Sequence, residues 1–196
     1  MKKLIALLLC LVMVLSLAAC GDKKETTTDK GGDKTTVEVP ASSLEILEKV
    51  WGEYAEDEKF PVMGGDFENI VDGAPGEFNI ADTENLMYSL LVPEAEIEKI
   101  DGAASLIHAM MTNNFTCGVF HLKNASDAKG FAEAMGDAVQ NNRWMCGMPE
   151  SLLVAVIGGE YVLMAYGIGD AMGPFETHLT AVYPDAELVC DEAIAG

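Results

Sequence analysis

Three cysteines in the body of the chain, Cys117, Cys146 and Cys190, are the residues best suited to covalent chemistry. Cys146 is the thiol candidate. It lies between an expected helix end and an expected strand, three residues after Arg143, whose guanidinium would favour the thiolate. Ordinary packing competes with that reading and carries more weight, because a free cysteine is also a small apolar residue that fills turns. Cys117, with Phe115 and Val119 on its own face of an expected strand, reads as core, and Cys190 reads as edge-strand packing. No pair has metal-site spacing. An odd three allows one bridge plus a free thiol, or three reduced thiols. A Cys117–Cys146 bridge would need their Cα atoms within roughly 6 Å.

The other polar candidates are weaker. His108, His121 and His178 share neither H-x-x-x-H nor H-E-x-x-H spacing, so no metal site is expected. Asp66, Glu68 and Asp72-Gly73 look like a calcium loop, but Ile70 and Val71 stand where a ligand and the turn glycine belong. There is no G-x-S-x-G, no phosphate-cradling glycine loop and no Ser/His/Asp arrangement. No catalytic residue is assigned, Cys146 standing only as a weak thiol candidate, and no cofactor is expected. Trp144, Met145 and Met148 form an apolar cluster at a connection, which either joins the core or, if exposed, suits a partner surface.

The N-terminus carries a different chemistry. Lys2 and Lys3 precede an almost unbroken apolar run, Leu4 to Leu17, and small residues then close on Cys20. A basic start, a short apolar core and a small-residue cleavage region describe a signal peptide over residues 1–19. The run is shorter than the roughly 20 residues that span a bilayer. The string Leu17-Ala18-Ala19-Cys20 resembles the bacterial lipobox. That resemblance implies a diacylglyceryl group on the Cys20 sulfur, cleavage just before it, and a chain anchored at the extracytoplasmic face of the cell membrane.

Charge narrows the partners. The chain has 12 basic and 32 acidic residues; removing residues 1–19 takes away Lys2 and Lys3 and no acid, leaving 10 against 32 and a formal charge of −22. Phosphate backbones repel such a chain, which excludes nucleic acid. Anionic headgroups repel it too, so the acyl chains rather than charge would hold it to the bilayer.

The elements that must position these residues follow from periodicity. Residues 20–40 carry the lipidated cysteine and a polar tether, which as a flexible coil spans roughly 25 Å. Residues 41–196 form one α+β domain. Ser42-Ser43-Leu44-Glu45 opens a helix as a capping box, with Leu44, Leu47, Trp51 and Tyr54 as its apolar stripe. Residues 60–80 read as loops with an extended piece near Glu77 to Ile80. Short helices are expected at 84–91 and from Pro93, and a better one at 102–111 with Ala103, Leu106, Ile107, Met110 and Met111 on one face. Then come a strand at 115–122, a helix at 126–142, a hairpin of 152–157 and 161–166 about Gly158-Gly159, a helix at 174–182 and a strand at 187–190. The order β-α-β-β-α-β matches the ferredoxin-like arrangement. Both hairpin strands are apolar throughout, so the sheet should be covered on both faces, one by the two helices of the motif and the other by the N-terminal helical segment.

The strings at 57–80 (DEKFPVMGGDFENIVDGAPGEFNI), 104–122 (ASLIHAMMTNNFTCGVFHL) and 141–167 (NNRWMCGMPESLLVAVIGGEYVLMAYG) resemble small Firmicutes lipoproteins labelled "bacteriocin transport accessory protein". Residues 116–184 are also similar to a broader Firmicutes lipoprotein domain family of unknown function. The resemblance implies a membrane-held accessory protein and brings no active-site motif. Stricter accessory proteins of that name resemble thioredoxin, whose exchange chemistry needs C-x-x-C; here Pro149 stands where the resolving cysteine would follow Cys146. The expected function is therefore a non-enzymatic accessory or protein/peptide-binding module with a membrane or surface protein partner. A thiol-dependent redox accessory using Cys146 is the alternative.

Overall fold

A computed structural model of the protein describes residues 39–195. The expected signal peptide, Cys20 and all but the last two residues of the expected tether lie outside them. Helix α1 (Ser43–Gly52) starts as its sequence requires. Ser42 Oγ accepts from the Glu45 amide at 3.1 Å, and the Glu45 carboxylate reaches back to the Ala41 N–H at 2.7 Å. Its buried side is Ile46, Leu47, Val50 and Trp51, with Tyr54 just beyond the helix.

Residues 60–80 are more ordered than their glycines suggest. They hold β1 (Val62–Gly64), β2 (Val71–Asp72) and β3 (Gly76–Glu77). Helix α2 (Thr83–Ser89) is capped by Asp82, and the segment from Pro93 is a 3-10 helix, Glu94–Lys99. Strands β4 (Ile100–His108) and β5 (Phe115–Leu122) pair antiparallel, followed by α3 (Ala128–Gln140), β6 (Ser151–Ile157), β7 (Tyr161–Gly167), α4 (Gly169–Val182) and β8 (Glu187–Ala193). The eight strands make one antiparallel sheet in the order β2-β1-β4-β5-β7-β6-β8, with β3 also on β4.

The helix expected at 102–111 is instead β4. Both faces of this strand are covered: Ala103 and Ile107 pack on one side, Ala104 and Leu106 on the other. A strand buried on both faces reads as a continuous apolar run, which periodicity alone cannot tell from a buried helix. Helix α4 also begins earlier than expected, at Gly169, and carries Pro174 inside it rather than at its start.

That strand changes the topology. A ferredoxin-like sheet would return its last strand to the free edge of β5, but β4 holds that edge from Ile100↔Leu122 to Ile107↔Thr116. β8 pairs with β6 instead. The crossovers β5-α3-β6 and β7-α4-β8 now travel the same way across the sheet, from strands of opposite direction. Right-handed crossovers of that kind must put their helices on opposite faces. Accordingly α3 packs with α2 over Phe120, Val154, Val162 and Met164, whereas α4 joins α1 over Phe115, Cys117, Leu153 and Leu163. Both faces are covered, as the unbroken apolar strands require. The motif helices do not share one face, and the N-terminal segment contributes to each.

Candidate functional site

Two loops at the end of the sheet bring together most of the residues singled out above. The first runs from the end of β4 to β5. His108 Nδ1 accepts the amide N–H groups of Met110 and Met111 at 3.2 and 3.3 Å, while its ring stacks on Phe60 with centroids 5.7 Å apart. The turn so formed presents Met110 and Met111 to solvent, 82% and 45% exposed, not the buried helical face expected of them. The second loop joins α3 to β6 and carries Met145 at 78% and Met148 at 40%. Asn113 ties the two together: its Nδ2 donates to the Met145 carbonyl at 2.9 Å and to the Gly147 carbonyl at 2.7 Å. The Met111 methyl lies within 4.0 Å of where a Gly147 Cβ would stand. Four exposed methionines thus sit on two bridged loops. Trp144 turns the other way, its ring 5.0 Å from Tyr166 and packed against the α3 face. Asn113 is the bridging residue that sequence patterns did not single out, since nothing local marks an amide bonded 32 residues away.

His108 makes this arrangement testable. A His108→Phe substitution keeps an aromatic ring for Phe60 but removes the acceptor. The Met110 and Met111 amides should then exchange with solvent faster, with global stability lowered by only about 1 kcal/mol, because both bonds are exposed. Unchanged exchange at those two amides would show that the histidine does not hold the turn.

Cys146 lies within the second loop, exposed and with a left-handed backbone, φ 62°. Cys117, Cys146 and Cys190 are all free among the described residues, with no bridge between Cys117 and Cys146. Cys117 is fully buried, and burial pushes its thiol well above the ordinary range. The Cys190 thiol is pushed up to about 11, first by burial and then by Glu192, Asp191 and Asp137. Neither is suited to resolve a mixed disulfide, because exchange runs through the thiolate.

The remaining candidates have structural partners. His121 Nδ1 donates to Asp101, and its Nε2 lies 3.9 Å from Glu160; His178 Nε2 lies 3.7 Å from Glu58. The Asp66 carboxylate turns inward onto the amides of Glu68, Asn69 and Asn79, at 2.8 to 3.0 Å. Glu68 and Asp72 are exposed, and Asp72 belongs to β2. Among the described residues no group of three or more His, Cys, Asp or Glu side chains could hold a metal ion. Nor is any helix among them long and apolar enough to cross a membrane. Compared with protein-family models, with curated proteins and with solved structures, the chain matches none.

Proposed function

We propose that this chain is an exported lipoprotein held at the extracytoplasmic face of the cell membrane through diacylglyceryl-Cys20. Its acidic domain serves as a non-enzymatic accessory module that binds an apolar, cationic protein or peptide segment. The observation that carries this reading is the methionine platform, Met110, Met111, Met145 and Met148, on a domain of strongly negative charge. Methionine is unbranched and polarizable, so a cluster of exposed thioethers can adapt to irregular apolar partners. The negative charge favours a basic partner and speeds its approach. The resemblance to lipoproteins labelled as transport accessory proteins supports an accessory role.

Two measurements test it. Cys20→Ser should move the protein from the membrane fraction to the soluble fraction. The full chain in detergent should bind a labelled 14-residue Lys/Leu amphipathic peptide, and the double substitution Met110→Ser with Met145→Ser should weaken binding at least about tenfold, since each buried methionine contributes roughly 1.5–3 kcal/mol. Equal binding of a Glu/Leu counterpart, or no effect of the double substitution, would sink the platform reading. The exposure of Cys146 in the same loop favours a second reading, a thiol-dependent redox accessory. That reading predicts a mixed disulfide with a thiol-bearing peptide that Cys146→Ser abolishes, whereas the platform reading predicts that Cys146→Ser leaves Lys/Leu peptide binding unchanged.

A further inference from the structure

A second surface has chemistry of its own. Phe67 follows the buried Asp66, and Tyr88 stands on α2; they are 63% and 79% exposed, with ring centroids 6.3 Å apart and planes tilted by 49°. With Met87, Asp82, Glu84 and Asn85 they line an open cleft of about 540 Å³. Asn85 is 4% exposed and is held once through its backbone and once through its side chain. Its backbone N–H donates to the capping Asp82 at 3.1 Å, and its side-chain Oδ1 accepts from Ser89 Oγ at 2.6 Å. That leaves Asn85 Nδ2, a buried donor with no partner.

We infer that this cleft binds an extended, proline-containing peptide segment carrying a basic residue, its proline rings against Phe67 and Tyr88 and its basic residue toward Asp82 and Glu84. Polyproline II segments have no internal hydrogen bonds and fully available carbonyls, and they dock on aromatic-lined grooves. Proline brings no amide N–H that would need an acceptor in an apolar wall. Asp82 and Glu84 supply the negative rim that a flanking arginine or lysine matches. The same carboxylates disfavour an anionic bilayer or a second copy of this acidic chain.

The inference stands independently of the methionine platform. The full chain in detergent is titrated with a labelled peptide of four Pro-Pro-Arg repeats, with a peptide of four Gly-Ser-Arg repeats as the equal-charge control, and with an N-acetylglucosamine tetramer. Saturable binding of the proline peptide is expected, at least tenfold tighter than the control. Tyr88→Ala and Phe67→Ala, both at exposed positions, should each weaken it at least tenfold. The Met110→Ser, Met145→Ser double substitution should leave it unchanged, which separates this cleft from the platform. Equal affinity for both peptides, unchanged affinity in Tyr88→Ala, or binding of the glycan in place of the proline peptide would overturn the inference.

Discussion

Replacing Asp66 with alanine should lower the domain's stability by roughly 3 kcal/mol, and the loss should be read as a fall in the urea midpoint with an unchanged slope. Asp66 is only 5% exposed, and its two oxygens take the amides of Glu68, Asn69 and Asn79 together with the Asn69 side chain at 3.1 and 3.2 Å. Alanine removes every one of those acceptors at once and offers the stranded amides nothing. Asp66→Asn, which keeps one acceptor oxygen, should cost less than alanine. An alanine variant within about 0.5 kcal/mol of the parent would mean that water replaces the carboxylate, and the buried-anchor account would fail. The effect also has a pH signature. Burial pushes the carboxyl up, but the bonds from Asn69, Glu68 and Asn79 outweigh it and hold the group below its ordinary 3.8. A carboxyl depressed in the folded state stabilises fully above its unfolded pKa and loses that contribution as pH falls through the folded one. The gap between parent and Asp66→Ala should therefore be widest above about pH 5 and close on acidification below about pH 4.

Asp66 also shows which parts of the molecule can be read from sequence. Its type and neighbours suggest a cation loop and its register denies one, but no local pattern says that the carboxylate faces the amide of Asn79, 13 residues on. Elements with local causes are legible. The Ser42–Glu45 cap, the hairpin about Gly158-Gly159 and the stripe of α1 follow from spacing and turn chemistry. β4 is not legible, because Ala103, Leu106 and Ile107 satisfy a helical spacing while β5 supplies the ladder that decides the matter. One misread element then carries the topology with it, since a vacant edge on β5 is what makes a ferredoxin-like return look natural. The methionine platform is half legible. Met145 and Met148 stand out as an apolar cluster, whereas Met110 and Met111 disappear into the apolar face of a helix that does not form.

A direct link between sheet and platform runs through Gly167, and Gly167→Ala should disturb both. A Cβ there would stand 2.3 Å from the Asn114 carbonyl oxygen and 3.0 Å from both the Asn114 carbonyl carbon and the Phe115 Cα. All three are backbone atoms, so no side chain can rotate away. The turn at 112–114 must lift off β7, and with it the Asn114 carbonyl that accepts the Ile168 amide at 3.0 Å. Overpacking of this kind costs about 1–3 kcal/mol. Because Asn113 lies in the displaced turn, its bonds to the Met145 and Gly147 carbonyls should loosen as well. The expected result is a lower urea midpoint together with faster hydrogen exchange at 145–148 and weaker binding of the Lys/Leu peptide. Gly130→Ala serves as the control, since a Cβ at that helical position meets nothing within 4 Å. If Gly167→Ala lowered stability but left exchange at 145–148 and peptide affinity at parental values, the two loops would be independent and the platform would not be a single surface.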